Sequence, residues 1–269
     1  MRRSALYLAV AGYGFRRYAT YRIATAAGVF TNTVFGFILA YVFTALWSER
    51  PRLGGYDEAQ ALTFVWVGQA LLASVALFGG GVEGELQERI RSGDVAIDLY
   101  RPADLQLWWL ASDLGRAGFQ LLGRGVVPLG VGALAFELAL PADPVVWALF
   151  LVSVALALVV SFALRFLVGL SAFWLLDAAG IGAANTVLST FFSGMLLPLT
   201  VFPGLFGEVV RWLPWAGMLQ VPADVLLERR VGLGVLSGLL FQLAWALVVL
   251  LVGRWAQSVA MRRVVVQGG

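Results

Sequence analysis

Nine acidic and basic side chains gather between residues 82 and 106, in the stretch VEGELQERIRSGDVAIDLYRPADLQ, with long apolar runs on either side. No other feature constrains the fold as much. A run of about 20 apolar residues is the length of one helix across a bilayer. A charged, helix-prone loop hung between such spans is a poor lipid contact and a good protein contact. It marks a place where something docks from the aqueous side.

Hydrophobic residues make up 60% of the 269 and charged residues 13%, against about 45–50% and about 25% in soluble domains. The excess is too large for a core and indicates an all-α, polytopic membrane protein. The net charge of +3 does not indicate a nucleic-acid partner. Arg2, Arg3, Arg16, Arg17, Arg22, Arg254, Arg262 and Arg263 cluster beside apolar runs, the pattern of orientation charges under the positive-inside rule.

Absences exclude whole classes of chemistry. There is no His and no Cys, and all 19 basic residues are Arg. Zinc and haem ligand sets, disulfides, a Ser–His–Asp triad and thiol redox chemistry are out of reach. Without Lys there is no Walker A lysine and no Schiff base. If ATP drives this chain, another polypeptide must hold the nucleotide.

Residues 1–22 read as a retained, basic and aromatic helix along the cytosolic interface, with Tyr7, Tyr13, Phe15, Tyr18 and Tyr21 at headgroup depth. The apolar core at 5–8, ahead of Ala9-Val10-Ala11, is too short for a signal peptide. Spans are expected at 23–47 and 59–80, the second ended by Gly79-Gly80-Gly81 before the loop 81–106. A third is expected at 117–138 and a fourth within 145–176. A fifth follows at 181–201 and a sixth at 231–255, within a final segment 231–269. Segment 107–201 thus carries the third to fifth spans. Within 202–230, the short piece 204–213 between Pro203 and Pro214 reads as a re-entrant or interfacial helix on the outer side, followed by a polar stretch at 222–230. Six spans put both termini in the cytosol.

In the island, Glu83, Glu85, Glu88, Arg89 and Arg91 fit one or two helical turns, with Glu85 and Arg89 at pairing distance along a helix. Ser92-Gly93-Asp94 reads as a break and Arg101-Pro102 as a second stop. Val95, Ile97, Leu99 and Tyr100 interleave with the charges as apolar anchors for a groove.

Asp113, Arg124, Arg165 and Asp177 lie in or near spans. They read as structural pairing or snorkelling rather than a substrate or proton path. Asn32, Gln69, Asn185, Ser189 and Phe192 could line a translocation path, or could simply bond helix to helix.

Three blocks now carry a resemblance. The first is Ile90-Arg91-Ser92-Gly93-Asp94 with Asp98-Leu99-Tyr100-Arg101-Pro102 and Leu105-Gln106. The second is Gly194, Leu197-Pro198, Phe202-Pro203-Gly204 and Arg211-Trp212-Leu213-Pro214. The third is Gln242-Leu243-Ala244-Trp245 with Gln267-Gly268-Gly269. In that order, over essentially the whole chain, they resemble the ABC-2 type permeases, the membrane subunits of ATP-binding-cassette exporters. The nearer match is a bacterial group of this length. The resemblance implies a type V exporter fold with an interfacial N-terminal helix, a cytosolic coupling helix and a re-entrant outer helix. It places ATPase contact on 85–99: Glu85, Glu88, Arg89, Arg91, Gly93, Asp94, Val95, Ile97 and Leu99. It implies cytosolic ABC ATPase subunits holding ATP and Mg, a second permease (identical or a sister chain), surrounding lipids and the bacterial inner membrane. It implies no catalytic residue and no cofactor in this chain. A small amphiphilic or drug-like substrate is expected. A lipid or lipid-linked glycan, or a scaffold without transport, is the alternative.

Overall fold

The first expected span forms as α2 (Arg22–Glu49), a helix about 42 Å long. Its buried stripe is Gly28, Asn32, Gly36, Ala40, Phe43 and Trp47, mostly one residue per turn and mostly small. Its exposed face carries Phe30, Phe35, Ile38 and Tyr41. Small residues inward and large apolar ones outward is the arrangement of a helix that packs on protein and faces lipid. The computed structural model describes residues 3–175 and 178–262, and within these it is all-helical. Arg2, Asp177, Arg263 and the terminal Gln267-Gly268-Gly269 lie outside the described residues.

Four helices among the described residues are long and apolar enough to cross a membrane: Arg22–Glu49, Leu105–Ala135, Pro144–Phe173 and Leu233–Met261. The second begins with α6 (Leu105–Gln120), where Oδ1 of Asp104 accepts from the N–H of Leu107. It continues through a π turn (Leu121–Gly125) into α7 (Val126–Ala135). Pro128 has no N–H to offer the preceding turn, and the π turn just before it takes up the mismatch. The helix therefore runs 12 residues ahead of the expected start at 117 and stops at Ala135 rather than 138.

The other two expected spans are not continuous helices. α3 (Glu58–Leu71) starts with a reciprocal cap between Asp57 and Gln60. It is buried all round from Ala61 to Leu71, as the central helix of a bundle must be. It ends at Leu71, not Gly80. Residues 72–81 unwind because side chains from elsewhere take their carbonyls. Arg116 donates to the oxygens of Ala73 (2.8 Å) and Ser74 (2.9 Å), Ser161 to that of Val75, and Arg165 to that of Gly80 (3.3 Å). Gly79, Gly80 and Gly81 all hold positive φ, which only glycine adopts without strain.

Likewise α9 (Ala179–Phe192) stops well short of residue 201. The chain then turns at Gly194. Gln220 supplies the missing partners: its N–H donates to the Ser193 oxygen (3.0 Å), and its Oε1 accepts from the Leu199 N–H (2.7 Å). A partner distant in sequence, side chain at the first break and both side chain and backbone at the second, thus replaces the helix's own ladder.

α10 (Gly204–Trp212) forms as the expected short helix. The polar stretch expected at 222–230 instead begins as α11 (Gln220–Leu226), every residue of which is buried. α8 (Pro144–Leu170) is opened by Asp143 and Pro144 and packs on α12 (Leu233–Met261). Gln242 joins these two with the 214–217 turn: its Nε2 donates to the oxygens of Ser153 and Gly217, and its Oε1 accepts from the Ser153 hydroxyl.

Ion pairs Arg17–Glu85 and Arg254–Asp104 gather the charged island and both described ends of the chain at one end of the bundle. Contacts of Arg229 with Gly54 and Gly55 mark the far end. Among the described residues four long helices run between these ends, and two short ones, α3 and α9, are continued by irregular chain. α1 (Arg3–Ala19) lies along α6, with Gly14 against the Ser112 carbonyl and Gly115 against that of Ala11. A Cβ at either glycine would collide with backbone.

Candidate functional site

The island folds as two helices, α4 (Val82–Ser92) and α5 (Val95–Tyr100). α4 has three turns, more than the one or two expected. Gly93, at φ 83°, makes the break between them, and α5 stops at Arg101-Pro102. Val82, Glu83, Leu86 and Gln87 form the inner face of α4. Leu86 is fully buried in a cluster with Trp109, Phe162, Phe166 and Leu170, and Gln87 donates to the Val168 oxygen (3.4 Å). The island is seated on α8, not suspended in solvent.

Its ion pairs differ from the expected one. Glu85 and Arg89 do not bond to each other. Glu85 accepts from Arg17 of α1 (2.9 Å). Arg89 donates to the buried Asp98 (2.5 Å), which also takes Arg101 (3.0 Å). Arg89 of α4 on this sheltered carboxylate of α5 pins the two helices together while Arg101 closes the end of α5, and the half-exposed Arg17–Glu85 pair adds about 0.2–1 kcal/mol. Of the residues expected to meet an ATPase, Glu88, Arg91, Gly93, Asp94 and Ile97 are exposed. Glu85, Arg89 and Leu99 are half-buried, and Val95 faces inward. Ile97 is 57% and Tyr100 80% exposed. The outer surface therefore sets two large apolar side chains among charges.

Behind the island, Asp113 and Arg116 of α6 meet Arg165 of α8. Arg165 donates to both carboxylate oxygens (3.2 and 2.6 Å), and Arg116 does so from Nε (2.7 Å) and Nη2 (3.4 Å). The same guanidiniums hold the carbonyls of 73, 74 and 80. Glu83 sits close by, its Oε2 accepting from Asn185 (3.5 Å). Burial raises the Glu83 carboxyl above the ordinary range, against the pull of Arg165 and the Asn185 bond. Two carboxylates and two guanidiniums balance charge there. Of the two structural readings open to Asp113 and Arg165, pairing or snorkelling, the geometry gives pairing, with each other and with Arg116.

The expected path residues separate. Asn32 and Gln69 line a cleft of about 580 Å³ between α2, segment 72–81, α6 with its π turn, and 190–196. Asn185 turns to Glu83 instead. Phe192 packs with Leu199, Val210 and Ala216, and Ser189 is buried; none of the three lines the cleft. Arg116, Gln120 and Arg124 line it and were not among the expected path residues. The signal was present in the run Leu-Leu-Gly-Arg-Gly-Val-Val, a lone guanidinium in apolar chain. Unlike Arg165, Arg124 has no carboxylate partner among the described residues.

A sequence model described as "ABC-2 family transporter protein" matches residues 30–268. No curated protein matches the chain.

Proposed function

Because this chain belongs to the ABC-2 family of transporter proteins, we propose that it is the membrane permease subunit of an ATP-binding-cassette exporter in the bacterial inner membrane. Cytosolic ATPase subunits hold ATP and Mg and dock on α4 and α5. A second permease, identical or a sister chain, completes the transmembrane unit, and both termini face the cytosol. The substrate is a small amphiphile or drug-like molecule moved outward.

One observation carries the reading. α4 and α5 present Ile97, Tyr100, Glu88 and Arg91 outward, while their inner face is packed on α8 and on Leu105 and Trp109 of α6. A push on such an element is transmitted because its inner side has no slack. Buried apolar contact and saturated charge allow discrete rearrangement rather than continuous bending. ATP would be the ligand that discriminates the two arrangements.

The test is purification of the tagged, full-length chain from its own host. An ATPase chain should accompany it, and export by inverted vesicles should require ATP hydrolysis. A chain that brings down no ATPase and moves nothing on ATP addition would be a scaffold. Transport that survives ATP depletion but follows a proton gradient would make it a secondary carrier.

A further inference from the structure

The cleft described above holds an imbalance. Its apolar wall comes from Phe35, Ile38, Leu39 and Leu72. Among the described residues its charged side chains are both arginines, and no Asp or Glu lines it. Arg116 is neutralised by Asp113. Arg124 is not neutralised by any described residue, and its Nε is buried without a hydrogen-bond partner among them. Its guanidinium rests against Gly28, where any Cβ would displace it.

Two further groups on the same wall are unsatisfied. Gln69 is 1% exposed and Gln120 9%, and Oε1 of each is buried without a partner among the described residues. Buried polar groups are nearly always paired, so unpaired ones on a cavity wall call for a ligand. Arg124 asks for an anion. The two carboxamide oxygens ask for hydroxyl or amide donors. The surrounding surface asks for hydrocarbon.

We propose that this cleft binds an acidic amphiphile, with a phosphate- or carboxylate-bearing head on Arg124, hydroxyl or amide donors toward Gln69 and Gln120, and an acyl or aryl body along α2. The π turn that carries Arg124 serves this site. Widening the helix by one residue re-aims the side chains that follow. The site deepens the exporter reading, since it names the substrate class of the same chain, and rests on it only for the direction of movement. Binding itself does not depend on an ATPase.

The experiment uses the full chain purified in a non-ionic detergent. Dioleoyl phosphatidylglycerol, dioleoyl phosphatidylcholine and free glycerol 3-phosphate are offered separately, and retention is read by native mass spectrometry. Phosphatidylglycerol should be retained above phosphatidylcholine, and the free headgroup should not bind. Arg124→Gln should cut phosphatidylglycerol retention about tenfold, the size of one charge-assisted contact. Arg124→Lys should keep most of it, and Ala73→Phe, which fills the cleft, should remove it. Arg262→Gln, at the exposed end of α12, should change nothing. Equal retention of the two lipids, or full retention by Arg124→Gln, overturns the proposal. So does binding of glycerol 3-phosphate alone, which would make the site one for free phosphate. If an ATPase still accompanies a chain that fails this test, only the assigned site is lost. A chain that passes it yet brings no ATPase would lose the exporter reading instead.

Discussion

Arg165 donates from Nη2 to Oδ2 of Asp113 across 2.6 Å, joining α8 to α6 through two side chains that solvent does not reach. Arg116 takes the other oxygen at 2.7 Å. These residues do more than cancel charge. Their remaining N–H groups hold the carbonyls of the unwound segment that leads from α3 into the island. The network is thus the place where the island, the central helix and two long helices are fastened together.

Removing the Asp113 carboxylate leaves two buried guanidiniums without their bonded partner and with one negative charge too few. Asp113→Ala should therefore destabilise the protein by about 3–5 kcal/mol. Arg165→Ala should cost a similar amount, and the double variant distinctly less than the sum, because each single change already removes the shared contact. Thermal unfolding of the detergent-purified variants measures this. Strictly additive losses would show that the pair acts as two independent groups.

Glu83 sits beside this network on α4, outside the four long helices, and its carboxyl is raised chiefly by burial. A raised acid binds its proton more tightly when folded than when unfolded. Stability then falls as pH climbs from the unfolded value, about 4.3, through the raised native one. Below both values wild type and Glu83→Gln should differ least. Toward neutral pH the variant should gain on the wild type in melting temperature. A wild type that gains on the variant over the same range would reverse the assignment and make the ionised Glu83–Arg165 attraction dominant.

The two apolar positions Val95 and Ile97 face opposite ways. Ile97→Asp should leave the melting temperature within the small range of surface changes, about 0.5 kcal/mol, yet weaken capture of the ATPase. Val95→Asp should unfold α5 from α4, since it puts an unpaired charge beside Asp98 in the buried face. Co-purification yields of the two variants, normalised to folded protein, separate docking from folding. Equal capture by Ile97→Asp and wild type would move the docking surface off α5.

Three of the four long helices were legible in the sequence because no charge interrupts their apolar runs for about 20 residues, whereas Asp113, Arg116 and Arg124 interrupt the one at Leu105–Ala135 and hid its start. The island's break at Gly93 was legible for a similar local reason, a glycine between two charged helical segments. The ends of α3 and α9 were not. What unwinds them is Arg116, Arg165 and Gln220, side chains tens of residues away whose reach no local pattern displays. The site divided along the same line. Which residues of the island were polar could be read directly, but their partners could not: Glu85 and Arg89 satisfy helical spacing and still bond elsewhere. Nor could composition tell Arg165, paired with Asp113, from Arg124, which has no carboxylate partner among the described residues.

The helix the sequence least resembles is α11, where Pro222 and Asp224 suggest a loop. It is held by a contact at the far end of the bundle. The Tyr56 hydroxyl donates to Oδ1 of Asp224 at 2.6 Å, and Gln220 donates to both (2.8 and 3.0 Å). Arg229 lies 3.8 Å over the same ring and donates to the Gly55 oxygen, so the loop before α3 and the chain after α11 close on each other. Asp224 is buried, and its arginine contacts are long, at 3.8 and 3.9 Å. The tyrosine is therefore its strongest donor. Tyr56→Phe keeps the ring and the cation contact but strips that bond from a sheltered carboxylate. The expected loss is about 1–3 kcal/mol. Asp224→Asn on the Tyr56→Phe background should recover part of it, because an amide is cheaper to leave short of donors than a charge. If the single variant melts like wild type, the hydroxyl does not hold α11, and the packing of Leu219 and Leu226 alone keeps the helix buried.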